Sequence, residues 1–169
     1  MPFLTLLRHA KAAQPLPGQK DFDRPLTERG RNDAARIGKL FVELGLDLAL
    51  VSGAARTVET WRIASGALEH RLETAIEQTL YMCRPAELIK RLQEVPSGAH
   101  SVIVVGHNPC MQEVALWLAG TATGPQVSQM REKYPTAALA TFKLGAPDWA
   151  DLSPKTVAFE RFTVPRSLY

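Results

Sequence analysis

The chain of 169 residues alternates short apolar runs with longer stretches in which apolar positions recur every three or four residues. Phe3 to Leu7, Leu48 to Ser52 and Val102 to Gly106 are near-continuous aliphatic or β-branched runs, the pattern of strands buried on both faces of a parallel sheet. Between the first two, Thr27 stands as an N-cap ahead of Ala34, Ala35, Ile37, Leu40, Phe41 and Leu44 at helical spacing, with Gly45 as the stop, which predicts a helix from Glu28 to Leu44. A second helix is expected over Ala55 to Ser65. A third begins at Pro85, a good first-turn residue, and carries Leu88, Ile89 and Leu92 on one face. A fourth begins at Pro109 and carries Val114, Leu116, Trp117 and Leu118 before Gly120. Ala138 to Leu144 and Thr156 to Thr163 read as strands around a loop at Gly145-Ala146-Pro147-Asp148. Two consecutive strands with no helix between them imply an antiparallel pair at the edge of the sheet.

The pattern therefore predicts an α/β fold in three layers, α/β/α, with a mostly parallel central sheet and an antiparallel edge. One domain spanning residues 1–169 is expected at this length. Residues 121–136 take no firm assignment. Gln14 to Pro25, with Pro15, Pro17, Gly18 and Pro25, is one long irregular stretch directly after Arg8-His9, and long loops inside compact domains are often functional.

Composition narrows the function classes only a little. The hydrophobic share of 46% and charged share of 22% are those of an ordinary globular protein. The net charge of +3 is spread along the chain with no basic run, which disfavours nucleic acid as a partner. The first strand starts almost at Met1, before a signal peptide could form, and no apolar stretch approaches the ~20 residues that span a bilayer, so a soluble, cytoplasmic protein with no membrane partner is expected. A monomer is the default expectation. Cys83 and Cys110 are far apart and lack metal-ligand spacing, so they are expected to be reduced thiols rather than a disulfide framework, with Cys110 packing near a helix start.

Ligands of open α/β sheets bind at the carboxyl ends of strands. Here the three apolar runs end in Arg8-His9, in Ser52-Gly53-Ala54-Ala55-Arg56, and in Gly106-His107-Asn108-Pro109. Two histidines and two arginines are thereby delivered to one rim. Any of them alone would be an ordinary structural residue; together they suit phosphate. Arginine offers planar, bidentate donors, and a neutral imidazole between cations is a plausible nucleophile because positive neighbours depress its pKa. His107 also precedes the expected fourth helix, whose free N–H groups and dipole are expected to face a bound anion.

Four segments in order resemble the histidine phosphatase superfamily, also called phosphoglycerate mutase-like. Leu6-Leu7-Arg8-His9-Ala10-Lys11-Ala12 resembles its Arg-His signature, and Arg24-Pro25-Leu26-Thr27-Glu28-Arg29-Gly30 its following segment. Ser52 to Thr60 resembles the second-arginine segment and Val105-Gly106-His107-Asn108-Pro109 the second-histidine segment. Within the superfamily the likeness is to the short SixA-like phosphohistidine phosphatases, including Tyr134-Pro135-Thr136-Ala137-Ala138-Leu139-Ala140 and Val164-Pro165-Arg166.

The resemblance implies a phosphoglycerate mutase-like fold. It makes His9 the phospho-accepting nucleophile, Arg8 and Arg56 clamps on the phosphoryl oxygens, and His107 a further donor. Lys11, Thr27 and Asn108 are the neighbouring positions expected to touch substrate. A phosphohistidine on His9, then hydrolysed by water, needs no metal and no cofactor, since positioning and charge stabilisation do the chemistry.

The chain departs from the superfamily at Ala10, where glycine is usual, and at Lys11, where many members carry an acid. It also lacks an acid where phosphomonoester-cleaving relatives place one, roughly thirty residues after the second arginine. That region reads Gln78-Thr79-Leu80-Tyr81-Met82-Cys83-Arg84, with Glu77 the nearest carboxylate. An alcohol leaving group needs a general acid, whereas a phosphorylated imidazole departs as neutral imidazole. Little chain between Arg56 and Val102 is left for a lid. Both points favour a phosphohistidine on a protein, such as a histidine phosphotransfer domain or a phosphocarrier protein. The alternative is a small-molecule phosphomonoesterase using Glu77 or Glu28 as acid. A cysteine-based phosphatase is excluded, because Cys83 and Cys110 are followed at the required spacing by Ile89 and Leu116 instead of arginine. A metal hydrolase is disfavoured by the arginines beside both histidines.

Overall fold

The computed structural model describes residues 1–169. Six strands, β1 (Phe3–Arg8), β2 (Leu48–Ser52), β3 (Glu73–Glu77), β4 (Ser101–Gly106), β5 (Leu139–Leu144) and β6 (Val157–Thr163), form one sheet in the order β3-β2-β4-β1-β5-β6. The β3–β2, β2–β4 and β4–β1 pairs are parallel, and β1–β5 and β5–β6 are antiparallel. The sheet is thus mostly parallel with an antiparallel edge, as the hydrophobic pattern predicts. Six α-helices accompany it: α1 (Glu28–Gly38), α2 (Phe41–Leu44), α3 (Ala55–Ala64), α4 (Pro85–Gln93), α5 (Cys110–Ala119) and α6 (Pro125–Glu132).

The period-two alternation of side chains divides the core between the two faces of the sheet. Leu4, Leu6, Leu50, Val102 and Val104 pack with Leu88 and Leu92 of α4 and Val114 and Leu118 of α5. Leu7, Ala49, Val51, Ile103 and Val105 pack on the other face with Ile37 of α1, Phe41 of α2, and Trp61 and Ala64 of α3. Helices therefore cover both faces, giving the three expected layers.

Three local features differ from the sequence expectation. The helix predicted over Glu28 to Leu44 is interrupted: Lys39 and Leu40 donate to the carbonyls of Arg36 and Ile37, a tightened turn, before α2 resumes the course. Gly38 supplies a reason, since a Cβ there would come within 2.3 Å of the Ala64 carbonyl oxygen. The backbones of α1 and α3 touch at that point, and the helix end is set by this crossing. Strand β3 was not predicted because Glu73-Thr74-Ala75-Ile76-Glu77 has no apolar run; it is an edge strand defined by its pairing with β2. Helix α6 occupies the unassigned 121–136 stretch, with Pro125 in its first turn. No helix is long and apolar enough to cross a membrane.

The strand order creates the crevice for a site. From β1 the chain crosses over β4 to reach β2, and from β4 it crosses over β1 to reach β5. Adjacent strands whose connections leave in opposite directions open a gap at their carboxyl ends. Arg8 ends β1 and Gly106 ends β4, paired in register.

Candidate active site

A pocket of about 350 Å³ at these strand ends is lined by Arg8, His9, Lys11, Ala12, Asp21, Arg24, Arg56, Met82, His107, Asn108 and Thr136. Four elements converge there. β1 delivers Arg8 and leads into His9, the first turn of α3 supplies Arg56, and β4 leads into His107 and Asn108. The irregular 14–25 loop adds Asp21 and Arg24. His9, Arg56 and His107 are 8%, 5% and 4% exposed, so the polar groups of the pocket are held in a largely dry setting.

The two imidazoles lie with ring centroids 5.3 Å apart. His9 Nδ1 is 2.7 Å from the Ala10 carbonyl oxygen. A carbonyl can only accept, so Nδ1 carries the hydrogen and Nε2 is left with its lone pair. Burial depresses the His9 pKa to about 3, with smaller contributions from His107, Arg56 and Arg8 against the opposing Ala10 bond. The expected cause was neighbouring positive charge; desolvation is the larger one. His107 is likewise depressed to about 4, first by burial and then by Arg56. Both rings are therefore neutral near pH 7.

His107 Nε2 lies 2.8 Å from the hydroxyl of Ser52, the last residue of β2. Ser52 is fully buried and its hydroxyl has no other acceptor, so its O–H donates to Nε2 and places the one N–H hydrogen of the neutral imidazole on Nδ1. That Nδ1 is buried with no acceptor. Tyr81 rests edge-on against the same ring, with centroids 5.5 Å apart.

The two arginines are anchored differently. Arg8 donates from one terminal nitrogen to the Tyr134 carbonyl at 2.9 Å, while its Nε is buried without a partner. Burial, followed by the repulsion of Arg56, lowers its pKa from the ordinary guanidinium value. Arg56 instead grips Asp21, donating to its backbone oxygen at 2.8 Å and to its carboxylate at 3.0 Å. Asp21 also accepts from Arg24 at 2.8 Å and from the Tyr81 hydroxyl. Those hydrogen bonds hold its carboxyl far below the usual carboxylate range, Tyr81 contributing most and Arg24 next.

The structure thus brings six of the seven expected residues, His9, Arg8, Arg56, His107, Lys11 and Asn108, around one pocket. Thr27 is not among them. Its hydroxyl caps α1 by accepting from Gly30 N–H at 3.0 Å and donates to the Lys11 carbonyl at 3.2 Å. The segment from Arg24 to Gly30 instead braces the chain just after His9. Thr27 N–H also bonds the Lys11 carbonyl, Ala12 bridges Leu26, and a Cβ on Gly30 would sit 2.2 Å from the Lys11 oxygen. Asn108 reaches the rim with its amide anchored, one Nδ2 hydrogen donating to the Tyr134 carbonyl and Oδ1 accepting from Gln112 N–H, which leaves the second Nδ2 hydrogen for the pocket.

The α5 N-terminus also departs from expectation. Met111, Gln112 and Glu113 N–H groups are taken by the His107 carbonyl, the Asn108 side chain and the Pro109 carbonyl. Pro109 has no N–H, so the expected array of free amides facing an anion is reduced to Cys110. Glu77 is turned away into an ion pair with Arg91 at 2.6 Å, and Glu28 is exposed at the start of α1; neither lines the pocket. Sequence reasoning missed Asp21 and Arg24 as pocket residues. The signal available was the irregular loop that carries them. Ser52 and Tyr81 carry no sequence signal of a role, because their meaning is a contact with His107. No three His, Cys, Asp or Glu side chains gather closely enough to hold a metal ion.

A larger cleft of about 530 Å³ adjoins the site through Thr136. It is lined by Arg29, Asp33, Lys133, Arg166 and Tyr169 among others, and holds neither histidine.

Comparison with known proteins gives the family and the fold. Residues 4–81 match the model of the histidine phosphatase superfamily, branch 1. An uncharacterized protein of Mycobacterium tuberculosis is 34% identical over 164 residues, covering 95% of this chain and 100% of the relative. The SixA protein of Agrobacterium tumefaciens superposes with a TM-score of 0.80 at 27% identity, over 98% of this chain and 99% of that one. The protein histidine phosphatase SixA solved with tungstate has the same fold, with a TM-score of 0.79 at 22% identity over 99% of each chain. The chain belongs to the histidine phosphatase superfamily, and its phosphatase fold is that of the SixA-like members.

Proposed function

We propose that this phosphatase removes phosphate from a phosphorylated histidine on a protein, through a covalent phosphohistidine on His9. The likeness to SixA proteins along the whole chain supports the substrate class. The substrate would be a histidine phosphotransfer domain or a phosphocarrier protein. His9 Nε2 attacks the phosphorus while Arg8 and Arg56 bind the equatorial oxygens in bidentate fashion. His107, as the Nδ1–H tautomer set by Ser52, donates to an oxygen whose charge grows in the transition state. The substrate's phosphoimidazole, protonated on its other ring nitrogen, loses its N–P bond as the bond from His9 Nε2 to phosphorus forms, so the freed imidazole leaves neutral and His9 becomes an Nε2-phosphoimidazolium that keeps its Nδ1 hydrogen. Water then attacks the phosphohistidine, His9 departs as neutral imidazole, and inorganic phosphate is released. Lys11 and Asn108 flank the mouth and would touch the substrate.

The observation that carries this reading is the state of Asp21. It is the only carboxylate lining the pocket, and Arg56, Arg24 and Tyr81 hold it ionised. An ionised carboxylate has no proton to give an alkoxide leaving group, whereas an imidazole that already carries a proton on its other ring nitrogen leaves neutral without one. The test compares turnover of a phosphohistidine-bearing phosphocarrier with that of sugar phosphates and phosphoserine under the same conditions. Preference for the phosphohistidine substrate is expected, with an acid-labile phosphoryl group trapped on His9. Faster turnover of the sugar phosphates would overturn the substrate assignment.

A further inference from the structure

Cys83 and Cys110 are 27 positions apart in sequence, yet their sulfurs lie 3.7 Å from each other. Cys83 sits in the turn after β3, two residues beyond Tyr81 and next to Met82, which lines the phosphate pocket. Cys110 opens α5, three residues beyond His107. Cys110 is buried, whereas Cys83 is half-buried and lines a surface cleft with Gln78, Met82 and Glu87. One sulfur is thus open to a small oxidant, and the other waits behind it.

We propose that Cys83 and Cys110 form a redox-modification site, a dithiol that closes to an intramolecular disulfide and thereby couples the oxidation state of the chain to its anion pocket. The roles of the two sulfurs follow from their surroundings. A hydrogen bond from Cys110 draws the Cys83 thiol below its ordinary pKa, while the same contact and burial push Cys110 up. Cys83 is therefore the attacking thiolate and Cys110 the resolving thiol. With a hydroperoxide as oxidant, the Cys83 thiolate attacks the O–O bond, giving a sulfenic acid and, for hydrogen peroxide, one water after protonation. Cys110 then attacks the sulfenic sulfur, losing its proton as a second water leaves and the S–S bond forms. A dithiol reductant reverses the change by exchange.

Closure must bring the sulfurs from 3.7 Å to about 2.05 Å. The approach of roughly 1.7 Å falls on two short segments that end on His107 itself and on the tyrosine packed against it. Tyr81 also donates to Asp21, the partner of Arg56, so the closed form is expected to displace His107 and the Arg56 clamp together.

The test treats the folded chain with hydrogen peroxide and follows intact mass, peptide mapping and tungstate binding by calorimetry. Loss of two hydrogens from the mass is expected, with a Cys83–Cys110 cross-linked peptide, reversal by dithiothreitol, and no such loss in C83S or C110S. Tungstate binding is expected to weaken at least about tenfold in the cross-linked form, since misplacement by ~1 Å can cost about 10²-fold at a phosphoryl site. Hyperoxidation of Cys83 without a cross-link, or only intermolecular disulfides, would overturn the modification site. A cross-linked form that binds tungstate unchanged would overturn the coupling. The mass readout does not depend on which phosphorylated substrate the enzyme uses, so the proposal can fail while the phosphohistidine reading stands, and the reverse.

Discussion

The strand-end side of the pocket and its loop side solve different problems. His9 and His107 follow directly from β1 and β4, and each is fixed by a bond that also selects its tautomer, to the Ala10 carbonyl and the Ser52 hydroxyl. Asp21 and Arg24 belong to the irregular 14–25 loop, and the Asp21 carboxylate is about half exposed. It nevertheless occupies Arg56, one of the two arginines proposed to bind phosphate. Under the proposed function the contrast separates preorganisation from competition: rigid elements hold the groups proposed to react, while the loop offers an internal anion that a phosphoryl group would have to displace. A pair with one half-exposed partner contributes only up to about 1 kcal/mol. A doubly charged phosphoryl group can therefore replace it, and the carboxylate keeps Arg56 oriented until then.

Removing a strand-end group should cost far more than removing the loop anion. His9→Ala is expected to lower kcat by at least ~10³-fold, as loss of a nucleophile does; single-turnover kinetics should show no phosphoenzyme, with tungstate binding partly retained. Arg56→Ala is next, with kcat/KM down by about 10²–10³-fold on the scale of a lost transition-state donor, and tungstate affinity falling with it. Ser52→Ala leaves His107 free to choose its tautomer. Loss of one buried hydrogen bond, about 1 kcal/mol, predicts a roughly fivefold drop in kcat with KM little changed; a shift of the His107 ring nitrogen resonances would report the tautomer directly. Asp21→Asn reverses the direction: phosphate and tungstate should bind up to about fivefold tighter, because a competitor worth ~1 kcal/mol is gone. Weaker binding in Asp21→Asn would show that the loop carboxylate positions Arg56 more than it competes for it.

A separate prediction concerns pH and is read on stability instead of turnover. His9 and His107 have folded pKa values of about 3 and about 4, below the unfolded value near 6.5. Between those limits the unfolded chain binds more protons than the folded one, so stability is full above about pH 6.5 and declines as pH falls toward 4. Melting curves should show this decline, and His9→Ala should have a shallower slope over the same range.

The parallel strands, the antiparallel edge and the delivery of Arg8, His9, Arg56 and His107 to one rim were legible because each depends on a local pattern. Buried strands need continuous apolar runs, helices need caps and stops, and strand ends point to a crevice. Other parts were not legible for equally physical reasons. β3 is polar and exists through its pairing with β2, and the break after Gly38 reflects backbone contact with Ala64. Thr27 lies beside the signature segments yet serves as a helix cap, since a motif can brace the backbone behind a nucleophile as readily as touch substrate.

The sequence by itself determined the order of the elements and the chemical kinds of group placed at the strand ends, because hydrophobic periodicity and capping act over a few residues. Only the tertiary structure decided which groups meet. Asp21 bonds Arg56 across 35 positions, Ser52 reaches His107 across 55, and Cys83 faces Cys110 across 27. Such contacts depend on how whole layers pack, and burial then sets the protonation of both histidines, which no local window of residues encodes.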